Sequence, residues 1–226
     1  MNPNIAIAIL LITFVLLIMI KCPITFSMII STAFTMLYIQ VPVMTLVQQM
    51  SKQLNSFSLL AIPFFILMGE IMAAGGISSR LLAFANVCVG QITGGLAHVN
   101  VLASMLFGGI SGSAIADVSS LGALEIPMME EAGYEKDFSI AVTVASSCQG
   151  LIIPPSHNMV LYSMVAGGVS VGSLFCAGYI PGIMLGVFIM GMCYIISKKK
   201  HYPKGKKLPF KEALRVTKDT FFAMLA

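Results

Sequence analysis

The sequence predicts an all-helical membrane protein that crosses the bilayer several times and contains a re-entrant hairpin and a broken helix. Hydrophobic residues make up 58% of the 226 residues and charged residues only 10%, whereas soluble domains carry roughly 25% charged residues. Nine of the thirteen Lys and Arg residues lie between Lys198 and Lys218, which leaves long charge-free intervals upstream. Glycine or proline clusters at 108–113 and 152–158 interrupt the apolar sequence and predict the hairpin and the break.

Charge-free intervals predict the first membrane spans, because a helix needs about 20 mostly apolar residues to cross the hydrocarbon core and a central charge is costly. Residues 1–20 predict one span and residues 22–51 a second. Residues 55–77 predict a third, although Pro63 and Glu70 lie within it.

The region 81–137 predicts a re-entrant hairpin that enters and leaves on one side of the membrane. The sequence GGISGS at 108–113 divides it into arms at 96–107 and 114–129, each marginal or too short for a crossing. Non-helical backbone is tolerated at membrane depth where protein buries it or where it lines a wet cavity. A single kinked span is the alternative.

Residues 138–197 contain no charge and are long enough for two crossings joined by a turn at 166–170. Pro154 and Pro155 lie within the first crossing. Tandem prolines remove two backbone donors and force the preceding residue out of the helical conformation, so a helix from 138 to 151 must stop there. A second helix must start near Pro155. Carbonyls at the end of one half-helix and amides at the start of the next are the groups with which transporters bind ions.

Residues 198–220 predict a basic cytoplasmic segment with an amphipathic surface helix. With a re-entrant hairpin, Lys52 is the one basic residue on the opposite side of the membrane. The positive-inside rule then places the tail in the cytoplasm and the N-terminus outside. Apolar and charged residues recur at helical spacing from 210 to 218. Residues 221–226 begin another apolar run, so we expect a further span and a longer polypeptide.

Composition and spacing exclude several functional classes. A single basic block beside the membrane is typical of a cytoplasmic flank, so we expect the lipid bilayer as a partner and no nucleic acid. The five cysteines form no C-x-x-C pair and predict neither a disulfide framework nor a metal-ligand cluster. The sequence has no Walker motif and no dinucleotide fingerprint, so we expect no cofactor and no ATP hydrolysis by this chain.

Candidate site residues lie at and around the two breaks. Hydroxyl and carbonyl oxygens suit a hard cation such as Na⁺, and the glycines allow the backbone to turn. An acid deep in the membrane is a functional candidate by default. Close helix packing is the alternative for any single serine or glycine. The candidate set is Gly109, Ser111, Gly112, Ser113, Asp117, Ser146, Ser147, Gly150, Pro154, Pro155, Ser156, His157 and Asn158.

The other acids are weaker candidates. Glu70 is the second acid that we expect at depth, because it lies midway in its predicted span. A further group is expected mostly at a solvated base of the hairpin: Glu125, Glu130, Glu131, Glu135 and Asp137.

Three long motifs resemble one protein family. They are residues 58–70 (SLLAIPFFILMGE) followed by Gly75-Gly76-Ile77, residues 99–117 (VNVLASMLFGGISGSAIAD) and residues 152–156 (IIPPS). In order and spacing they resemble the large, DctM-like membrane subunit of tripartite ATP-independent periplasmic (TRAP) transporters. The resemblance covers nearly the whole chain. The last motif alone would be weak, whereas the three together are highly specific.

The resemblance implies a permease of the bacterial inner membrane that takes up a carboxylate-bearing organic solute by Na⁺ symport. It implies two protein partners, a small four-helix membrane subunit and a periplasmic substrate-binding protein. It also implies an elevator motion of a transport-type region, residues 79–197, against scaffold-type helices in residues 1–78. On this pattern the hairpin (94–132), the broken helix (138–166) and the following span (173–197) belong to the first of two inverted repeats.

Two other functions stay open at this point. Gly109-Ile110-Ser111-Gly112 resembles the G-x-S-G of rhomboid-type intramembrane serine proteases, in which His157 would serve as the base. This hypothesis leaves Pro154-Pro155 unused. The second alternative is a non-transporting scaffold subunit. The sequence does not predict which organic acid is carried, because both arginines, Arg80 and Arg215, are expected at the membrane surface.

Overall fold

The computed structural model describes residues 2–54, 57–205 and 209–225. These residues form helices joined by short connections, with one isolated antiparallel bridge between Thr93 and Lys204 and no strand among them. The predicted all-helical class is confirmed. The chain divides into two compact units, Met1–Phe57 and Ser58–Ala226.

The first unit contains α1 (Pro3–Met19), α2 (Ile24–Tyr38) and α3 (Met44–Leu54). Helices α1 and α2 pack against each other. Ser27, Ser31 and Thr35 are buried along one face of α2, and each hydroxyl donates to a backbone carbonyl three or four residues earlier, Thr35 to Ser31 at 2.8 Å. Such small residues let neighbouring helices approach closely.

The predicted second span, 22–51, is two helices rather than one. Helix α2 ends at Tyr38 and α3 begins at Met44. Gln40 adopts a positive φ of 57° in the connection, and Pro42 follows it. The left-handed backbone at Gln40 takes the chain out of the helix, and Pro42, which lacks a backbone donor, follows within the connection.

The second unit begins within α4 and contains the segments for which a hairpin and a broken helix are predicted. Its helices are α4 (Phe57–Ala74), α5 (Ile77–Val89), α6 (Gly95–Ser111), α7 (Ala114–Ser120), α8 (Gly122–Glu131), α9 (Lys136–Ser147), α10 (His157–Ala166), α11 (Val171–Lys199) and α12 (Phe210–Leu225). A 3₁₀ turn, Cys148–Leu151, extends α9. Asn55 and Ser56, where the third span was predicted to begin, lie outside the described residues, as does Ala226 at the end of the final apolar run.

Among the described helices, α11 is long and apolar enough by itself to cross a bilayer. Parts of α4 and α5, Ile62–Met72 and Ile77–Val89, reach this length and apolarity as a pair that is bent by 72°. The apolar helices Pro3–Met19, Ile24–Tyr38 and Gly95–Ser111 are shorter. The predicted number of crossings therefore stays a prediction.

Helix α6 lies at the centre of the second unit. One face packs against α5, where Leu81, Ala85 and Phe107 are completely buried. The opposite side packs on α8, α9 and α11, with Val101 and Met129 completely buried. The first arm of the hairpin is thus a core helix, which fixes the position of the tip at its end.

The base of the hairpin is held by residues 200–205. The Tyr202 ring lies 4.4 Å from that of Tyr134 and 5.2 Å from that of Phe138, measured between centroids. Burial raises the pKa of Tyr134 to about 12. Backbone bonds from Gly94 N to Pro203 O (3.2 Å) and from Gly205 N to Gly90 O (3.0 Å) tie the same segment to the α5–α6 connection.

Candidate functional site

The tip of the hairpin is a tight turn between α6 and α7. Gly112 adopts a left-handed φ of 61° and ends α6, a conformation that costs glycine little. Ser113 then caps α7, because its Oγ accepts a hydrogen bond from Ala116 N at 3.3 Å. The Ser111 hydroxyl lies 3.5 Å from Ser113 O, to which it donates. The turn therefore holds the Ser111 hydroxyl against the backbone of Ser113.

The broken helix supplies the opposing surface. Residues 152–156 separate the 3₁₀ turn from α10, and the Pro154-Pro155 bond is cis. Ser156 is completely buried, and its hydroxyl donates to Leu151 O across the break at 2.7 Å. Among the described residues, no backbone amide bonds to the carbonyls of Pro154 and Pro155. These two oxygens therefore keep their lone pairs for another donor or for a cation.

The two breaks touch backbone to backbone. A Cβ added to Gly108 would lie 2.6 Å from Gly150 Cα, and one added to Gly112 would lie 2.4 Å from Pro155 O. Only glycine permits either approach. On the other side of the tip, Gly69 of α4 lies against Ser111. The candidates Gly109, Ser111, Gly112, Ser113, Gly150, Pro154, Pro155 and Ser156 thus form one junction, called the tip junction below.

Ser146 and Ser147 lie one turn away from this junction on α9. The Ser146 hydroxyl donates to Asn100 Oδ1 at 2.8 Å and accepts from Ser104 at 3.2 Å. Asn100 Nδ2 donates to Thr143 Oγ1 at 2.7 Å. These side chains are buried and form a polar network between α6 and α9. The Ser147 hydroxyl donates to Val144 O of its own helix at 2.8 Å.

Asp117 and Glu125 are the buried acids of the second arm. Asp117 is 1% exposed and Glu125 is completely buried. Neither carboxyl group has a hydrogen-bond partner among the described residues. The expectation that Glu125 lies at a solvated base is wrong, because α8 turns this residue toward α6 and α9. Glu130, Glu131, Glu135 and Asp137 are exposed, as expected.

A small cavity of about 230 Å³ lies beside the tip junction, between α4, α7 and the start of α10. Polar groups from Glu70, Ser111, Ser113, Ser119 and His157 line it. His157 Nε2 is buried without a hydrogen-bond partner, and its ring lies 6.3 Å from that of Phe65. Glu70 is exposed, as is Asn158 on the far side of the α10 start. The cavity gives the tip hydroxyls access to space that the helices do not fill.

Several residues of the site were not among the candidates. Gly69 and Gly108 provide the close contacts of the junction, and Gln149 is completely buried with Nε2 donating to Val101 O at 3.4 Å. A glycine in an apolar helix gives no sign of which neighbour it touches. Gln149 could have been predicted from the sequence. It lies next to a predicted helix break in an apolar segment, where a buried amide side chain needs hydrogen-bond partners within the protein.

The junction offers oxygen atoms and no nucleophile paired with a base. Hydroxyls that donate to carbonyls, as Ser111 and Ser156 do, keep oxygen lone pairs for a cation. In a low-dielectric site such oxygens interact strongly with a small hard ion. No hydrogen bond joins Ser111 to His157 in the described structure. The geometry suits cation binding better than nucleophilic catalysis.

Comparisons with known proteins identify the family of this chain. Residues 11–226 match the family model described as "Tripartite ATP-independent periplasmic transporter, DctM component". The chain is 42% identical over 204 residues to the sialic acid TRAP transporter large permease protein SiaM of Vibrio cholerae. It is 41% identical over 169 residues to the C4-dicarboxylate TRAP transporter large permease protein DctM of Pseudomonas aeruginosa.

The matches cover most of this chain but only part of each relative. They include 90% of this chain and 48% of SiaM, and 75% of this chain and 39% of the Pseudomonas protein. The chain thus spans about half the length, or less, of these relatives.

Proposed function

Because the chain belongs to the DctM family of TRAP transporter components, we propose that it supplies one ion-binding half of a permease that imports a carboxylate-bearing solute by Na⁺ symport. The observation that carries the proposal is the tip junction, where a hairpin turn and a broken helix meet through glycine backbone. Family membership confirms the prediction of a transporter component rather than an enzyme.

Sodium is bound at the tip junction in this proposal. The hydroxyls of Ser111 and Ser156 and the carbonyls of Pro154 and Pro155 are its oxygen ligands from this chain. The residues that carry these four groups are buried or half-buried. The bound ion therefore exchanges its water shell for protein oxygens. Asp117, one turn into α7, places a carboxyl group close to the site.

The carboxylate solute binds next to the ion, in the cavity lined by Ser113, Ser119 and His157. Two relatives carry sialic acid and C4-dicarboxylates in their names, and both are carboxylate solutes. A bound cation attracts a carboxylate directly, which links solute binding to Na⁺ binding without an arginine. The remaining ligands come from a second, inverted repeat.

The transporter works as an assembly in the bacterial inner membrane. A periplasmic binding protein delivers the solute, and a small four-helix membrane subunit joins residues 1–78 to form a fixed scaffold. The transport-type region, residues 79–197, then moves as an elevator against it. Multi-pass insertion with a cytoplasmic tail is part of the same proposal, supported by the apolar helices and by the lysine distribution.

The test measures uptake by the complete complex in proteoliposomes. Ser111→Ala combined with Ser156→Ala removes two proposed ligands, and we expect the Na⁺ concentration for half-maximal uptake to rise roughly tenfold or more, as when metal ligation is disturbed. Ser79→Ala, on the exposed side of α5, is the control and should leave the Na⁺ dependence unchanged.

Each alternative predicts a different outcome. An unchanged Na⁺ dependence in the double variant would contradict the assigned ligands. A complex that binds its periplasmic partner but moves no solute under any ion gradient would favour the scaffold hypothesis. Labelling of Ser111 by a fluorophosphonate would revive the protease hypothesis.

A further inference from the structure

Glu125 faces the polar network between α6 and α9. Gly122 precedes it by three residues and Met129 follows it by four, so the three share one face of α8. A Cβ added to Gly122 would lie 2.9 Å from Thr143 Cγ2, and Met129 Sδ lies 3.9 Å from Asn100 Nδ2. Glu125 therefore lies between two contacts with the network, and its side chain is completely buried.

The donors of this network are already in use. Asn100 Nδ2 donates to Thr143 and to Met129, and Thr143 donates to Ser139 O. Ser104 donates to Ser146, and Ser146 donates to Asn100 Oδ1. The Ser139 hydroxyl donates to Glu135 O. An ionised carboxylate is an acceptor only, so it finds no free proton here, whereas a protonated carboxyl could donate one to the remaining lone pairs.

No cation offsets a charge on Glu125 in the described structure. The ion pairs found there, Lys200–Glu135 and Arg215–Asp219, involve other acids. Helix α8 packs on α6, α7 and α9. The titratable side chain of α6 is His98, which bonds to Gly94 O at the start of that helix. The one of α7 is Asp117, which is itself an acid. Those of α9 are Lys136 and Asp137, and both are exposed. Glu130 and Glu131 on α8 itself are exposed.

We propose that Glu125 is a proton-binding site of the hairpin, whose carboxyl group holds a proton at neutral pH and donates it to the polar network between α6 and α9. A bound proton gives the Glu125 carboxyl group a hydrogen to donate and removes the negative charge that no cation offsets. When the proton leaves, a charge stays buried without a partner, which loosens α8 from α6 and α9. Docking of the second arm is therefore linked to pH, whether or not the Na⁺ proposal is correct.

Infrared spectroscopy of the complete complex tests the site. The wild type minus Glu125→Gln difference spectrum should contain, at neutral pH, the C=O stretch of a protonated carboxyl group, and this band should vanish when the pH is raised. Glu130→Gln alters an exposed acid of the same helix and should give no such band. The absence of the band from the Glu125→Gln difference at neutral pH would overturn the proposal.

Thermal unfolding provides the second readout. Folding takes up the proton because an unfolded glutamate is ionised at neutral pH, so stability falls as the pH rises. One linked proton changes the folding equilibrium by up to about tenfold per pH unit. The pH dependence of stability that this proton causes should disappear in Glu125→Gln and persist in Glu130→Gln. Equal slopes of stability against pH in the wild type and both variants would contradict the proposal.

A wild-type measurement covers the case in which Glu125→Gln does not fold. Hydrogen exchange in residues 122–131, corrected for its intrinsic pH dependence, should show α8 less protected as the pH rises. Protection that is independent of pH would overturn the proposal. So would a band that appears at neutral pH only when Na⁺ is withdrawn, since Na⁺ would then be the resident ligand.

Discussion

At the scale of single residues, glycine decides where the two breaks can meet. Gly108 and Gly150 lie on different helical segments, and a methyl group on the first would enter the space of the second. Backbone cannot yield as a flexible side chain can. These glycines keep side chains out of the contact, and the close backbone approach sets the positions of the serine hydroxyls at the tip junction.

We expect Gly108→Ala to destabilise the protein by about 1–3 kcal/mol, the usual cost of overpacking a tight core. Gly191→Ala is the matched control, because a Cβ there meets no atom within 4 Å. It should be neutral or stabilising by up to about 1 kcal/mol through helix propensity. The free energy of unfolding in mixed micelles measures both, and equal effects of the two substitutions would contradict the contact.

Sequence reasoning located the residues of the tip junction but not the role of each side chain. Clusters of glycine and proline indicate a helix break, because few other residues interrupt an apolar helix. Ser146 and Ser156 look alike in sequence, yet one belongs to the Asn100 network and the other spans the break. Glu125 was expected in solvent, since a sequence shows a charge without showing which face of the helix carries it.

At the scale of elements, the base of the hairpin is held by packing rather than by charge. Tyr202 is 7% exposed and contacts two aromatic rings, whereas both members of the Lys200–Glu135 pair are exposed. A hydrogen bond with Glu135 raises the pKa of Lys200, but water screens so exposed a pair. The aromatic contact should therefore dominate the energetics.

We expect Tyr202→Ala to lower the free energy of unfolding by about 3 kcal/mol or more, as for other buried aromatic residues. Lys200→Ala should cost much less than Tyr202→Ala, because water screens the exposed ion pair. Chemical denaturation of both variants in detergent gives the comparison. A larger loss for Lys200→Ala than for Tyr202→Ala would show that the ion pair holds the base.

At the scale of the whole molecule, the lengths of the described helices do not determine the orientation of the chain in the membrane. The prediction of orientation depends on the charge distribution. Apolar length by itself identifies α11 and the bent pair of α4 and α5. The lysine distribution predicts a direction, with the basic tail on the cytoplasmic side and Lys52 on the opposite side.

We expect a cysteine introduced by Lys199→Cys to react with an impermeant maleimide only from the cytoplasmic side. One introduced by Lys52→Cys should react only from the periplasmic side. Both residues are exposed, so reactivity reports sidedness rather than burial. The measurement uses a cysteine-free background in intact cells and in inverted vesicles, and labelling of both positions from one side would overturn the predicted topology.

The sequence by itself determined the helical class, the two breaks and the family resemblance. These depend on composition and on local backbone chemistry: the tandem prolines Pro154 and Pro155 remove two backbone donors in a row, and charge-free apolar length predicts burial in lipid. Only the tertiary structure decided that the breaks meet, that α6 is the central helix and that Glu125 is buried without a hydrogen-bond partner among the described residues. Those facts depend on which helix faces pack together, and packing joins residues that are far apart in the chain.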